Sequence, residues 1–498
     1  MTRGVHWFRS DLRLRDNAAI DALAARCDEV AFAFVLDPRL LAAAPPDAPR
    51  VRFLLDGVER LERELARRGH ALHVLRGEPV RELDRFLARA RPEWLSFARA
   101  TTPYGASRDA RVRARAERAG VRVLAPKDAV VFGADELRTK SGGLYQVFGP
   151  YQRAWLARLA EEGLGAPCAT RLPRPCAVRD ARAGTLAAGL ARAERRGGAA
   201  ASAADERASI PVAGEAAARR RLEAFVERGL LRYATARDLP AVDGTSRLSP
   251  HLRFGAVSAR DCIRAATDAA ACDARLREGA ARWVGELCWR DFYAAQLEEH
   301  PRIARGSFRA DFDALEWDGD DALFARWRDG RTGFPIVDAG MRQLAATGWM
   351  HNRVRMIVAS FLTKDLGIDW RRGERLFFER LVDGDPASNN GGWQWSASTG
   401  TDPQPYFRIF NPTSQGRRFD PDGDYVRRFV PELARLDARE IHAPDADARA
   451  ACDYPAPCVD HAEARERALA RYRRAIGRAP GAGATRAKPA RRRAKARR

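Results

Sequence analysis

The spacing of apolar residues changes along the chain, and the change admits only a fold built from two unlike halves. Up to residue 132, short apolar runs alternate with longer amphipathic stretches. The runs are VHWFR (5–9), VAFAFVLD (30–37), ALHVLRG (71–77), EWLSFAR (93–99) and a last piece near VRVL (121–124). Between them, notably over 51–69 and 79–92, apolar residues fall three and four apart, as on a helix. Strands separated by helices predict an α/β domain with a doubly wound parallel sheet, whose ligands sit beyond the carboxyl ends of the strands. No GxGxxG follows the first strand and no Walker loop occurs, so neither an ordinary dinucleotide site nor an ATP site is signalled. From 133 to 215 the periodicity fades into a segment with Pro173, Pro175 and an Ala-, Arg- and Gly-rich run over 181–204, which reads as an interdomain connector. Residues 216–476 carry almost no strand signal and read as an all-α domain. The last stretch, 477–498, reads as a disordered basic tail.

Charge narrows the partner. The formal balance is +21, of which eight charges lie between Arg486 and Arg498, leaving the body of the chain at +13. Such an excess favours phosphate-rich partners, because neutralising phosphates releases counterions. A GC-rich genome, which enriches Arg and Ala, is the alternative explanation of the same excess. The eight cysteines are scattered, with no CxxC pair and no matching histidines. Reduced thiols are therefore expected, with no disulfide and no metal. No apolar run approaches the roughly 18 residues of a membrane span. The opening MTRGVHWFRSDLRLRD carries charge where an export signal needs an apolar stretch, which predicts a cytoplasmic protein.

Four segments of the helical half carry candidate chemistry. In DGTSRLSPHLRFG (243–255), Thr245, Ser246 and Ser249 bunch before a helix start, where hydroxyls and free N–H groups suit phosphate oxygens; taken alone, the motif is better explained as a simple N-cap. In WVGELCWRDFY (283–293), Glu286, Trp289, Arg290 and Tyr293 share one helical face. An acid, a guanidinium and two aromatics on one stripe suit the wall of a polar cavity better than a core. In GWMHNRVRMIVASFL (348–362), Asn352, Arg355 and Met356 share a face, Ile357, Val358, Phe361 and Leu362 read as core, and His351 reads as a structural histidine. The fourth is LVDGDPASNNGGWQWSASTGTDPQPYFRIF (381–410), a mixture of acids, amides, glycines and tryptophans that matches no ordinary helix or strand. Gly391 and Gly392 remove bulk where backbone passes close to a neighbour, and the whole set suits a planar, redox-active ligand.

TSRLSP, ELCWRDFY, GFPIVDAGMRQLAATGWMHNR and DGDPASNNGGWQWSASTGTDPQPYFRIFNP resemble the photolyase/cryptochrome family, and WFRSDLRLRDN is similar to that family's opening strand. The similarity runs from about residue 3 to 475. It implies a helical FAD domain behind an α/β domain, and either light-driven repair of pyrimidine dimers in DNA or blue-light signalling. Carried over by position, Tyr233, Thr245, Ser246, Arg247, Leu248 and Ser249 would hold the FAD phosphates and ribitol. Trp283, Glu286, Arg290, Asn352, Arg355, Asp383, Gly384, Asp385, Asn389 and Trp393 would line the folded cofactor. Trp393, Trp370 and Trp317 match the family's electron-relay chain, although each alone could be a buried aromatic, and Trp317 or Trp370 singly reads better as one.

Within the resemblance, Asn389 matches the photolyase residue beside the flavin's redox nitrogen, where plant cryptochromes carry aspartate. Asn352 and Met356 match the class I enzymes for cyclobutane dimers; (6-4) photolyases carry two histidines in that helix. Cyclobutane repair is therefore expected, with cryptochrome and (6-4) photolyase as the alternatives. Glu286, Asn352, Met356 and Asn389 would be catalytic, working with reduced, anionic FAD. Trp289 and Trp395 would flank a flipped dimer, and Arg237, Arg290, Tyr293, Arg353, Arg408 and Gln415 would complete the DNA contacts, in a monomer. A second, antenna chromophore is also implied, a deazaflavin or a folate. Where the folate type has an Asn–Glu pair this chain has Tyr104 and Gly105, in TTPYGASRD, which is closer to deazaflavin relatives; a turn explains Pro-Tyr-Gly as well.

Overall fold

A computed structural model describes residues 1–42, 45, 47–165, 171–178, 184–186 and 210–477. The expected tail and most of the 181–204 run lie outside these residues. The five strands read from the sequence form as β1 (Arg3–Phe8), β2 (Glu29–Leu36), β3 (Leu72–Arg76), β4 (Trp94–Ser96) and β5 (Arg122–Leu124). They lie in the order β3-β2-β1-β4-β5, all parallel, and a short β6 (Arg174–Pro175) adds to the start of β2. In β1, Val5 and Trp7 point into one apolar cluster while Phe8 enters the other, on the opposite face of the sheet. Both faces are covered by helices, which is why the strands are apolar throughout.

The remainder is helical, as expected. Its apolar residues form two large clusters, one around Trp283, Phe292 and Trp155, the other around Trp327, Trp370 and Trp393. An ionic network ties the domains together: Arg13 and Arg260 both reach Asp128, and Arg260 and Arg264 both reach Asp16.

Two sequence expectations need correction. The segment 133–215 is no plain connector, because Phe148–Glu162 is a helix whose Phe148, Tyr151 and Trp155 are buried in the first helical cluster. Phe148, Tyr151, Trp155 and Leu159 fall three and four apart, a helical spacing that the proline- and glycine-rich sequence around it obscures. The polar segment at 381–410 is not foreign to helix either: Pro386–Ser396 is α-helical. Asp385 caps it by accepting the Ser388 N–H at 2.8 Å, and Pro386 occupies the first turn, where its missing N–H costs nothing. Its amides are satisfied across the groove: Asn390 and Gln394 both donate to Ile303 O, at 3.0 and 3.1 Å. Among the described residues, no helix is long and apolar enough to cross a membrane.

Candidate functional site

Between the two helical clusters lies a cavity of about 510 Å³. The long helix Arg277–Glu299 supplies one wall, and its turn-spaced Trp283, Glu286, Trp289, Arg290 and Tyr293 all face the opening. The opposite wall comes from Asn352–Ser360, through Asn352, Arg353, Arg355 and Met356. Its N-cap is His351, which is buried and accepts the Arg353 N–H at 3.2 Å. Burial pushes the His351 imidazole down to about 4, so it is neutral and structural, as the sequence suggests. The floor is Pro386–Ser396, contributing Asn389, Trp393 and Trp395.

Thr245, Ser246, Arg247, Leu248 and Ser249 form one rim, together with Tyr233 and Arg237. Arg247 holds a φ of +50°, an uncommon backbone for a non-glycine residue, with its guanidinium over the Trp349 ring at 4.9 Å. The two glycines of the floor differ in what they do. A side chain at Gly391 would meet the Tyr293 ring at 2.1 Å, whereas Gly392 opens on free space in the cavity wall.

Several charges in the cavity are paired. Arg355 Nη2 lies 2.9 Å from Asp383 Oδ2. Arg237 Nη1 lies 2.7 Å from Glu286 Oε1, and Arg353 Nη2 lies 2.8 Å from Asp238 Oδ1. Arg290 donates to the carbonyls of Ala129 and Leu252, so its guanidinium braces the wall. Asn389 Nδ2 donates to Glu374 O at 2.9 Å, which leaves its amide oxygen to serve the cavity. Behind it, burial raises the Glu374 carboxyl to about 7.

These elements fit a folded flavin nucleotide: a fixed cation–anion pair, a hydroxyl-bearing rim, and flat aromatic walls from Trp283, Phe377 and Trp393. Comparison with known proteins agrees. The profile described as the FAD binding domain of DNA photolyase matches residues 283–474, and that described as DNA photolyase matches 4–175. The deoxyribodipyrimidine photo-lyase of Halobacterium salinarum is 42% identical over 489 residues, covering 95% of this chain and 99% of that relative. The chain belongs to the DNA photolyase family.

Solved photolyases share its shape. A class III photolyase from Agrobacterium tumefaciens superposes with a TM-score of 0.84 at 35% identity, over 96% of this chain and 98% of that one. An archaeal photolyase from Sulfolobus tokodaii, solved with two FAD molecules, gives 0.77 at 30% identity, over 95% and 100%.

Most of the residues singled out in the sequence line one cavity. Gly384, Trp317, Trp370, Arg408 and Gln415 do not. Gly384 instead offers its carbonyl to Arg253 at 3.1 Å. Trp370 is fully buried, and Trp317 is half-buried beside Phe312 and Tyr472. Arg408 is exposed, and Gln415 is half-buried on Pro412–Phe419. Tyr104 and Gly105 fall in the first turn of Pro103–Arg118, capped by Thr102, and the Tyr104 hydroxyl donates to Asp37. Burial, helped by Asp37, pushes that phenol up to about 12.

Sequence reasoning missed Arg253, Trp349 and Trp327. Arg253 and Trp349 lie inside motifs already singled out, LSPHLRFG and GWMHNR, and both line the cavity. Trp327, fully buried, meets Trp393 edge to face at 6.1 Å, and no local pattern marks it.

Proposed function

We propose that this protein is a deoxyribodipyrimidine photo-lyase that uses light to split cyclobutane pyrimidine dimers in DNA, acting as a monomer in the cytoplasm. One observation carries the reading. The residues suited to a flavin (Arg355, Asp383, Asn389) and those suited to a pyrimidine pair (Glu286, Asn352, Met356, Trp289, Trp395) share a single cavity. All of them come from one chain, so no second subunit is needed.

Bound and reduced, FAD supplies the photoexcited electron. The protein's own part is positional and electrostatic. A crosslinked pyrimidine pair stacks poorly in the duplex, so extruding it costs less than extruding normal bases. Trp289 and Trp395 offer flat faces to the extruded pair, Met356 packs against it, and Glu286 and Asn352 hydrogen-bond its base edges. Arg237, Arg353 and Arg408, with Gln415, contact the flanking phosphates, which positions the enzyme without reading sequence. Arg355 beside Asp383 sets the charge next to the ring. Trp317, Trp370 and Trp393 run from a half-exposed to a buried position, an order that suits carrying electrons inward.

The test uses reduced, FAD-loaded protein mixed with DNA that bears either a cyclobutane dimer or a (6-4) product. After illumination the restored bases are scored. Restored cyclobutane sites support the reading. Repair of (6-4) products alone overturns it in favour of a (6-4) photolyase. A light-driven change in flavin redox state with no repair overturns it in favour of a cryptochrome.

A further inference from the structure

Among the described residues, Trp289 is the one indole of the cavity held in a parallel stack. The Phe148 ring lies 3.6 Å from it, centroid to centroid, with only 9° between the planes. Phe148 is itself buried and takes no part in the cavity lining, so it covers the rear face of Trp289 and leaves the front face to the cavity. Phe292 meets both rings edge-on, at 5.7 Å from Phe148 and 5.6 Å from Trp289, which closes the sides of the stack.

Phe148 is anchored from the far side of the site. It begins the helix Phe148–Glu162, whose N-cap residue Val147 provides no side-chain cap. Asp402 supplies the missing acceptor: its Oδ2 takes the Phe148 N–H at 3.0 Å. An acid at that end also suits the helix dipole. Next to it, Thr401 Oγ1 donates to Gln146 O at 2.8 Å, and Gln296 Nε2 donates to Tyr145 O at 2.9 Å. Asp402 holds φ at +42°, an uncommon backbone for an aspartate, which these bonds offset. The 401–402 turn is also tied to the second indole, because Gln404 N donates to Trp395 O at 3.2 Å.

We infer that Phe148 and Asp402 are positioning residues that set the spacing between Trp289 and Trp395, and so the selectivity of the slot for a joined pyrimidine pair. This rests on the repair reading above. Phe148 fixes the plane of one indole through the stack. Asp402 joins the segment carrying Phe148 to the turn that follows the other indole. A loosened slot accepts a flat dimer less well, while phosphate contacts outside it are untouched.

The experiment uses FAD-loaded full-length protein as wild type, Phe148→Leu, Phe148→Tyr and Asp402→Ala. Affinity is measured for oligonucleotides with and without one cyclobutane dimer, alongside flavin content. Phe148→Leu is expected to weaken dimer binding about fivefold, the scale of one lost aromatic pair, with undamaged-DNA binding and flavin content unchanged. Phe148→Tyr restores the preference, and Asp402→Ala moves it in the same direction as Phe148→Leu. A wild-type preference in Phe148→Leu, or equal losses on both DNAs, overturns the inference. Should the wild-type protein itself show no preference for the dimer, the repair reading falls. The crystal structure of Phe148→Leu then decides the positioning role: a turned Trp289 supports it, and an unmoved one overturns it.

Discussion

Arg237 and Glu286 hold each other at 2.7 Å, so two side chains expected to meet damaged DNA are paired with one another. Both are partly exposed, and such a pair contributes only modestly to stability. Its effect on binding is larger, because a phosphate must draw Arg237 away. Glu286→Ala removes the competitor. Binding to undamaged DNA is expected to tighten and its salt dependence to steepen by about one unit of slope, while repair per absorbed photon falls. Titrations across a salt series, with repair yields on the same preparations, test this. An unchanged slope would mean that Arg237 never reaches a phosphate.

Gly373 bears on the electron path. A Cβ there would stand 2.1 Å from Cη2 of Trp393. Gly373→Ala therefore displaces the indole, at a cost of about 1–3 kcal/mol from overpacking. Photoreduction of oxidised flavin should slow, while chemically reduced enzyme keeps most of its repair activity. Trp393→Phe should abolish photoreduction and likewise spare repair. Photoreduction at the wild-type rate in Trp393→Phe would reject the relay role.

Much of this was legible in the sequence, for physical reasons. Glu286, Trp289, Arg290 and Tyr293 sit on one uninterrupted helix, so their spacing alone placed them on a common wall. Arg355 and Asp383 were placed at the cofactor by the family resemblance, and the fold brings the two charges together. What stayed hidden depended on contacts distant in sequence. Phe148 reaches Trp289 across 141 positions, and Asp402 reaches Phe148 across 254. The helical state of Pro386–Ser396 was masked by its glycines and amides. Those residues read as irregular until Ile303 and Glu374 are seen to satisfy them.

Arg355 keeps a nearly buried carboxylate in balance. The Asp383 side chain is 3% exposed and accepts both of its charged hydrogen bonds from Arg355 Nη2, at 2.9 and 3.2 Å. Arg355→Ala leaves that charge stranded. A loss of about 3 kcal/mol is expected, typical of breaking one side of a buried pair. Flavin retention should fall with it, since the pair forms part of the cavity wall. Denaturant unfolding and the flavin absorbance of the purified variant measure the two effects. Full flavin content with normal stability would show that Asp383 finds another partner.

Asp291 predicts how stability varies with pH. It lies on the helix that carries Glu286 and Trp289, fully buried. Its Oδ2 accepts N–H bonds from Val131 at 2.9 Å, Phe132 at 3.2 Å and Trp155 Nε1 at 3.1 Å. Burial is the largest influence and raises the carboxyl from its ordinary 3.8 to about 6, against the lowering effects of Arg290 and the three donors. The folded state thus holds the proton to higher pH than the unfolded chain does. The stabilisation is complete below pH 3.8 and is lost as pH rises through about 6. At about 1.4 kcal/mol per unit, the swing is about 3 kcal/mol. Asp291→Asn keeps an acceptor for the three donors and cannot ionise. The stability of wild type minus that of the variant should therefore fall by about 3 kcal/mol from about pH 3 to pH 7, read from denaturant unfolding at a series of pH values. A difference that rises over this range would mean that the three donors outweigh burial. The carboxylate would then be the preferred form, clamping the 131–162 segment to the wall of the cavity.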